Sequence, residues 1–169
     1  GNTNQTGAGS STGTIHFDTG TFTATTINMG VKSNTGTGGA TGNLNINGGT
    51  FTATTVNMTT NTASVSGNSS ANLNITGGTS NITTLKVGDN AHTAGSNSST
   101  GTVTITNGSL TVGSLNMAVK SAAGASTSTG IVNVNGGSMT VNTALTMGTQ
   151  SGGGSSSAAR SDARSNARA

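Results

Sequence analysis

Thr, Gly, Ser and Asn fill 107 of the 169 positions, and the chain contains no Cys, Pro, Trp, Tyr or Glu. Six Lys and Arg against three Asp leave a formal charge of +3, too slight for the basic, aromatic-lined surface that nucleic acid requires. The lack of Cys excludes disulfides and thiolate metal sites, and no apolar run approaches the length of a membrane span.

Residues 1–12, GNTNQTGAGSST, are polar throughout and look like the tail of a preceding unit. Without a charged-then-apolar leader, any secretory signal is expected to have been removed or to lie outside these residues. From Gly13 onward the chain repeats. Units 13–41, 42–70, 71–100, 101–129 and 130–147 begin at Gly13, Gly42, Ala71, Gly101 and Gly130, spaced 29 or 30 residues apart.

Within each unit apolar and polar residues alternate, the period of an extended strand whose two faces see different surroundings. Six apolar columns run through the units. The first is Ile15, Leu44, Leu73, Val103, Val132, and the second is Phe17, Ile46, Ile75, Ile105, Val134. The third is Phe22, Phe51, Ser80, Leu110, Met139, broken only at Ser80, and the fourth is Ala24, Ala53, Ile82, Val112, Val141. The fifth is Ile27, Val56, Leu85, Leu115, Leu145, and the sixth is Met29, Met58, Val87, Met117, Met147.

A Gly- and Asn-rich triplet such as Asn47-Gly48-Gly49 separates columns two and three. These residues tolerate positive φ, so a turn is expected there in every unit. Between columns four and five the alternation slips by one residue, as at Thr54-Thr55, which marks a bend or bulge. A polar excursion of about twelve residues follows column six, for example Gly30 to Thr41. Each unit therefore reads as three short strands and an excursion. One unit cannot bury its own apolar face, but units stacked in register can. The expected fold is an all-β parallel β-solenoid of five coils, a rod of about 24 Å at the usual strand spacing. An antiparallel sandwich or propeller is the runner-up; recurrence of one residue type in one column favours in-register stacking.

Residues 148–169 are Gly/Ser-rich and then carry Arg160, Arg164 and Arg168 at i, i+4, i+8, a spacing that would align them on a helix face. This segment reads as a solvated tail or a small docking cap, and no other cap is evident at either end. Open coils expose apolar cross-section and unpaired strand edges, so end-on stacking of subunits into a fibre is expected.

The chemistry-bearing residues are sparse. Asp18, Asp89 and Asp162 are the only acids, and the first two fall at different corners of non-adjacent coils, so no paired carboxylates for glycan cleavage are expected. His16 should point outward and His92 lies in an excursion. No recurrent Asp follows the Gly-rich turns, which excludes the calcium-binding nonapeptide pattern, and no phosphate loop is present. No cofactor or metal is expected, and the chain does not read as an enzyme. Flanking the third column are Thr21 and Thr23, Thr50 and Thr52, Thr79 and Asn81, Ser109 and Thr111, Ser138 and Thr140, a Thr-x-Thr ladder of the kind that orders water on ice-binding solenoids. Lys32 and Lys120 recur at matching places as Val31-Lys32-Ser33 and Val119-Lys120-Ser121 and are candidate assembly contacts, together with the three Arg.

The cadence Gly42-x-Leu44-x-Ile46-x-Gly48-Gly49-Thr50-Phe51 resembles repeats of secreted bacterial β-solenoids, the autotransporter passenger domains and filamentous adhesins. The resemblance covers residues 13–147. It implies an extracellular or cell-surface structural protein, a fibre, adhesin stalk or biofilm-matrix component. Its implied partners are copies of itself or neighbouring repeats of a longer chain, and surface glycans. The ice-binding solenoid is the alternative, and a polysaccharide-active β-helix enzyme the third.

Overall fold

A computed structural model describes residues 1–3, 7–33, 35–62, 66–91, 97–121, 125–151 and 154–162. The strands in chain order are β1 (Asn2–Thr3), β2 (Ser11–Phe17), β3 (Thr21–Lys32), β4 (Ala40–Ile46), β5 (Thr50–Asn61), β6 (Ser69–Ile75), β7 (Thr79–Asn90), β8 (Ser98–Ile105), β9 (Ser109–Met117), β10 (Thr127–Val134), β11 (Ser138–Met147) and β12 (Ser155–Asp162). Odd-numbered strands form one six-stranded sheet in the order β1-β3-β5-β7-β9-β11. Even-numbered strands form the other in the order β12-β10-β8-β6-β4-β2. Every pairing is parallel, and the chain winds between the two sheets as a β-solenoid of five coils.

Register follows the sequence columns. Leu44 pairs with Leu73 and Leu73 with Val103, while Val56 pairs with Leu85 and Leu85 with Leu115. Between the sheets lies one continuous core in which Leu44, Ile46, Phe51, Val56, Met58, Leu73, Ile75, Leu85, Val103, Ile105, Leu115 and Met117 are all buried. Phe22 stacks on Phe51 with ring centroids 5.4 Å apart, and Phe17 packs tilted against Phe22 at 5.9 Å.

Each coil has two strands, not three. The segments expected as second and third strands are joined into one, twelve residues long in each of the first three coils. The slip is present inside that strand. Thr54 and Thr55 both turn outward between inward Ala53 and Val56, and the pairing of β3 with β5 steps from Ala24–Ala53 to Thr26–Thr55. Two successive outward residues bend the strand enough for one ladder to serve both inner segments.

Two left-handed positions per coil turn the chain. Gly20, Gly49, Gly78, Gly108 and Gly137 all have positive φ at the expected turn. A second corner follows column six at Gly30, Thr59, Gly88, Ala118 and Gly148, again with positive φ at each. Thr59 and Ala118 adopt it without being glycine, a conformation that costs an L-residue about 1–2 kcal/mol. The backbone tucks inward there: a Cβ on Gly42 would lie 2.7 Å from Gly30 N and 2.8 Å from Met29 Cβ. This close approach explains why the column Gly42, Ala71, Gly101, Gly130 stays small.

Candidate functional site

The few titratable groups do not converge. His16 is exposed, with Asn45 Nδ2 3.4 Å from its Nδ1. Asp18 is exposed after β2 and accepts from Asn47 Nδ2 at 2.7 Å. Asp89 is on β7, in the other sheet and two coils away, with Lys86 Nζ 3.8 Å from its Oδ2. Burial pushes the Asp89 carboxyl above its ordinary value, opposed by the Lys86 charge and by a backbone hydrogen bond at Asn90. Among the described residues no cluster of three or more His, Cys, Asp or Glu could hold a metal ion. His92, Arg164 and Arg168 lie outside the described residues.

The outer faces carry ladders instead. On the short-strand sheet Asn72 Nδ2 donates to Asn43 Oδ1 and Asn74 Nδ2 to Asn45 Oδ1, both at 2.8 Å. Thr76 Oγ1 donates to Asn47 Oδ1 at 2.8 Å. Each amide bridges to the same position one coil away, so the side chains add a second set of inter-coil bonds to the backbone ladder. On the long-strand sheet Thr21, Thr50, Thr79 and Ser109 stand in one register column, and Thr23, Thr52, Asn81, Thr111 and Thr140 in another. Most are exposed; Ser109 and Thr111 are half-buried. The face is not flat: Thr52, Asn81, Thr83, Thr111, Gly113 and Asn142 line a trough of about 240 Å³ along the slip. A second groove of about 310 Å³ runs past the later corner, lined by Lys86, Asp89, Asn116, Val119, Thr146 and Thr149.

The lysines expected at the surface are inside. Lys32 and Lys120 are each 0% exposed. Three residues beyond column six, Lys32, Asn61, Asn90, Lys120 and Gln150 form a seventh inward column, aligned through β3–β5, β5–β7 and the bridges Asn90–Lys120 and Lys120–Gln150. Its occupants fasten the excursions. Lys32 Nζ donates to Gly36 O at 2.5 Å, Asn61 Nδ2 to Gly67 O at 3.1 Å, Asn90 Nδ2 to Thr127 O at 3.1 Å and Gln150 Nε2 to Gly154 O at 2.7 Å. Burial lowers the ammonium pKa of both lysines from 10.5. These four side chains are donor-bearing ties to backbone carbonyls, and Lys32 and Lys120, being buried, are not lateral contacts.

The tail also differs from expectation. Arg160 lies on strand β12, which pairs with β10 over eight positions, so the described part of the tail is extended and not helical. Arg160 pairs with Val132 and Asp162 with Val134, placing two charged residues in columns one and two. At the other end β1 covers only Val31 and Lys32 of β3. In the outermost coils of the described residues, column residues are more exposed: Ile15 is 44% exposed, Leu145 45% and Met147 44%, against 1% or less for Leu44, Leu73, Leu85 and Leu115.

No helix of the described residues is long and apolar enough to cross a membrane. Comparison of the chain with protein-family models, with curated proteins and with solved structures gives no match.

Proposed function

We propose that this protein is a non-catalytic structural rod that associates end-on with copies of itself outside the cell, as a fibre, adhesin-stalk or biofilm-matrix component. The observation that supports the reading is the stack itself: every coil meets the next in parallel register, so each coil presents its successor with the same apolar columns and the same strand edges. This coil-to-coil interface occurs four times within the described residues, and a second copy or a further repeat laid in the same register would repeat it. The separation of Asp18, in the turn after β2, from Asp89, on β7 two coils away, supports a non-catalytic reading, and the extracellular location rests on the cadence that resembles secreted solenoids. Sedimentation of the purified protein across a hundredfold concentration range tests it: the reading expects mass to rise with concentration, and a monomer throughout would contradict it. Turnover of acidic polysaccharide by the pure protein would contradict the non-catalytic part, and absence of surface labelling on intact expressing cells the location.

The in-register hydroxyl columns of the long-strand sheet favour ice binding as a second reading. The trough at Gly113 and the Asn at position 81 interrupt the array. A freezing-point depression without matching melting-point change would support this reading, and none at millimolar protein would end it.

A further inference from the structure

The turn after column two holds the three Asn-Gly pairs of the sequence, Asn47-Gly48, Asn107-Gly108 and Asn135-Gly136. An Asn followed by Gly is open to a reaction with its own backbone. The glycine nitrogen gives its proton to hydroxide and attacks the asparagine Cγ. The new N–C bond closes a five-membered succinimide, and the side-chain nitrogen leaves as ammonia. Water then opens the ring at either carbonyl, giving aspartate or its isomer linked through the side-chain carbon. The reaction needs a nitrogen held close to Cγ and a carboxamide free to turn its face toward it.

The three pairs are held differently. Asn47 is tied at both ends of its carboxamide: Nδ2 donates to Asp18 Oδ1 at 2.7 Å, and Oδ1 accepts from Thr76 Oγ1 at 2.8 Å. At Asn135 the restraint falls on the nucleophile, because Gly136 N donates to Ile105 O at 3.2 Å. Neither restraint is present at Asn107 among the described residues. Asn107 stands one residue later in its turn than Asn47 and Asn135 do in theirs, and it is exposed. Gly108 N donates to Asn107 Oδ1 at 2.9 Å, which sets the attacking nitrogen against the carbonyl whose carbon it must reach and polarises that carbonyl. The product also fits. Asn107 lies two residues before Ser109, which pairs with Thr79 and Ser138, so its column neighbours are Gly77 and Gly136 and a carboxylate there has no side chain directly above or below it. A carboxylate at position 47 would instead face Asp18.

We infer that Asn107 is a self-modification site of the folded protein, where ring closure with Gly108 turns an exposed amide into a carboxylate while Asn47 and Asn135 are protected. The full folded chain, held in mildly alkaline buffer made with heavy-oxygen water and then digested with trypsin, tests this. Cleavage after Lys32, Lys86, Lys120 and Arg160 puts the three sites on separate peptides, so mass spectrometry reads ammonia loss and label uptake at each. Asn107 should take up label about tenfold faster than Asn47 or Asn135, the margin supplied by hydrogen bonds that must break first. In urea the three sites should react at similar rates. Asp18→Ala with Thr76→Val should speed Asn47 and leave Asn107 unchanged; should that variant not fold, the comparison of folded chain with urea decides. Equal rates at the three sites of the folded chain, an earlier reaction at Asn47 or Asn135, or no label at Asn107 would overturn the inference. Asn107→Asp should leave the melting midpoint unchanged, and Asn47→Asp, which sets a second carboxylate against Asp18, should lower it; the reverse order would contradict the environments assigned to the two positions.

Discussion

Replacing one turn glycine by alanine at two levels of the stack separates backbone strain from coil-to-coil contact. Gly20 and Gly78 occupy the same column with φ of 87° and 73°. An alanine at either pays for the left-handed conformation, about 1–2 kcal/mol. At Gly20 a Cβ meets nothing within 4 Å, so strain is the whole cost. At Gly78 it would lie 2.5 Å from Gly49 O and 2.6 Å from Gly48 C, backbone atoms of the coil beneath. That is about half an ångström closer than real Cβ atoms come, and the carbonyl cannot yield because Thr79 N donates to it at 2.9 Å. Opening the coil spacing there weakens that bond, about 1 kcal/mol, and adds overpacking of about 1–3 kcal/mol. Gly78→Ala should therefore cost about 3–6 kcal/mol and Gly20→Ala about 1–2 kcal/mol. Thermal melts followed by far-ultraviolet circular dichroism, at a concentration where the chain is monomeric, should show midpoint losses of about 9–18 °C and 3–6 °C respectively. Equal losses would refute the claim that a neighbouring coil's backbone lies under the turn.

Three further outcomes follow from burial and charge. Leu73→Ala, in the centre of the stack and 0% exposed, should cost about 2–5 kcal/mol in denaturant titration, and Leu145→Ala, 45% exposed, less than half as much. Ser80 occupies column three with its hydroxyl buried and without a protein hydrogen-bond partner, so Ser80→Ala should raise stability by about 1 kcal/mol, read as a higher melting midpoint. Burial holds the Lys32 and Lys120 pKa values below 10.5, so between the lowered values and 10.5 the unfolded chain binds more protons than the folded one. Stability should thus rise with pH through that window, where no Tyr or Cys titrates, and Lys32→Met should flatten the slope; a fall in stability across the window would contradict the burial.

Much of the fold is written in the 29-residue period because in-register stacking makes each column a chemical environment of its own. Leu44, Leu73 and Val103 share a type because they share a place, and Gly49, Gly78 and Gly137 recur because a Cβ there strikes the coil beneath. The corner after column six was hidden: Gly30, Thr59, Gly88, Ala118 and Gly148 share a backbone conformation but no side chain. The seventh column was hidden differently. Lys32, Asn61, Asn90, Lys120 and Gln150 are residue types that usually face water, so their constant offset of three from column six carried no apolar signal. What Lys32, Asn61, Asn90 and Gln150 share is a side-chain donor that reaches a backbone carbonyl. The strand β12 escaped notice because Arg160 and Asp162 break the very alternation that identifies a coil, and the two-strand coil because the slip at Thr54-Thr55 bends a strand without ending it. Of the residues singled out for function, the Thr columns lie where the period places them, while Lys32, Lys120 and Arg160 do not, since charge alone says nothing of which side of a strand a residue occupies.

Methyl NOE spectroscopy on a sample labelled at Leu, Val and Ile methyl groups tests the central claim most directly. Parallel coils in register require cross-peaks between Leu44 and Leu73, Leu73 and Val103, Ile46 and Ile75, and Ile75 and Ile105, each joining residues one period apart. Missing cross-peaks within these four pairs, together with strong Hα–Hα contacts between strands of neighbouring units, would place those residues in separate layers of an antiparallel structure and contradict the account.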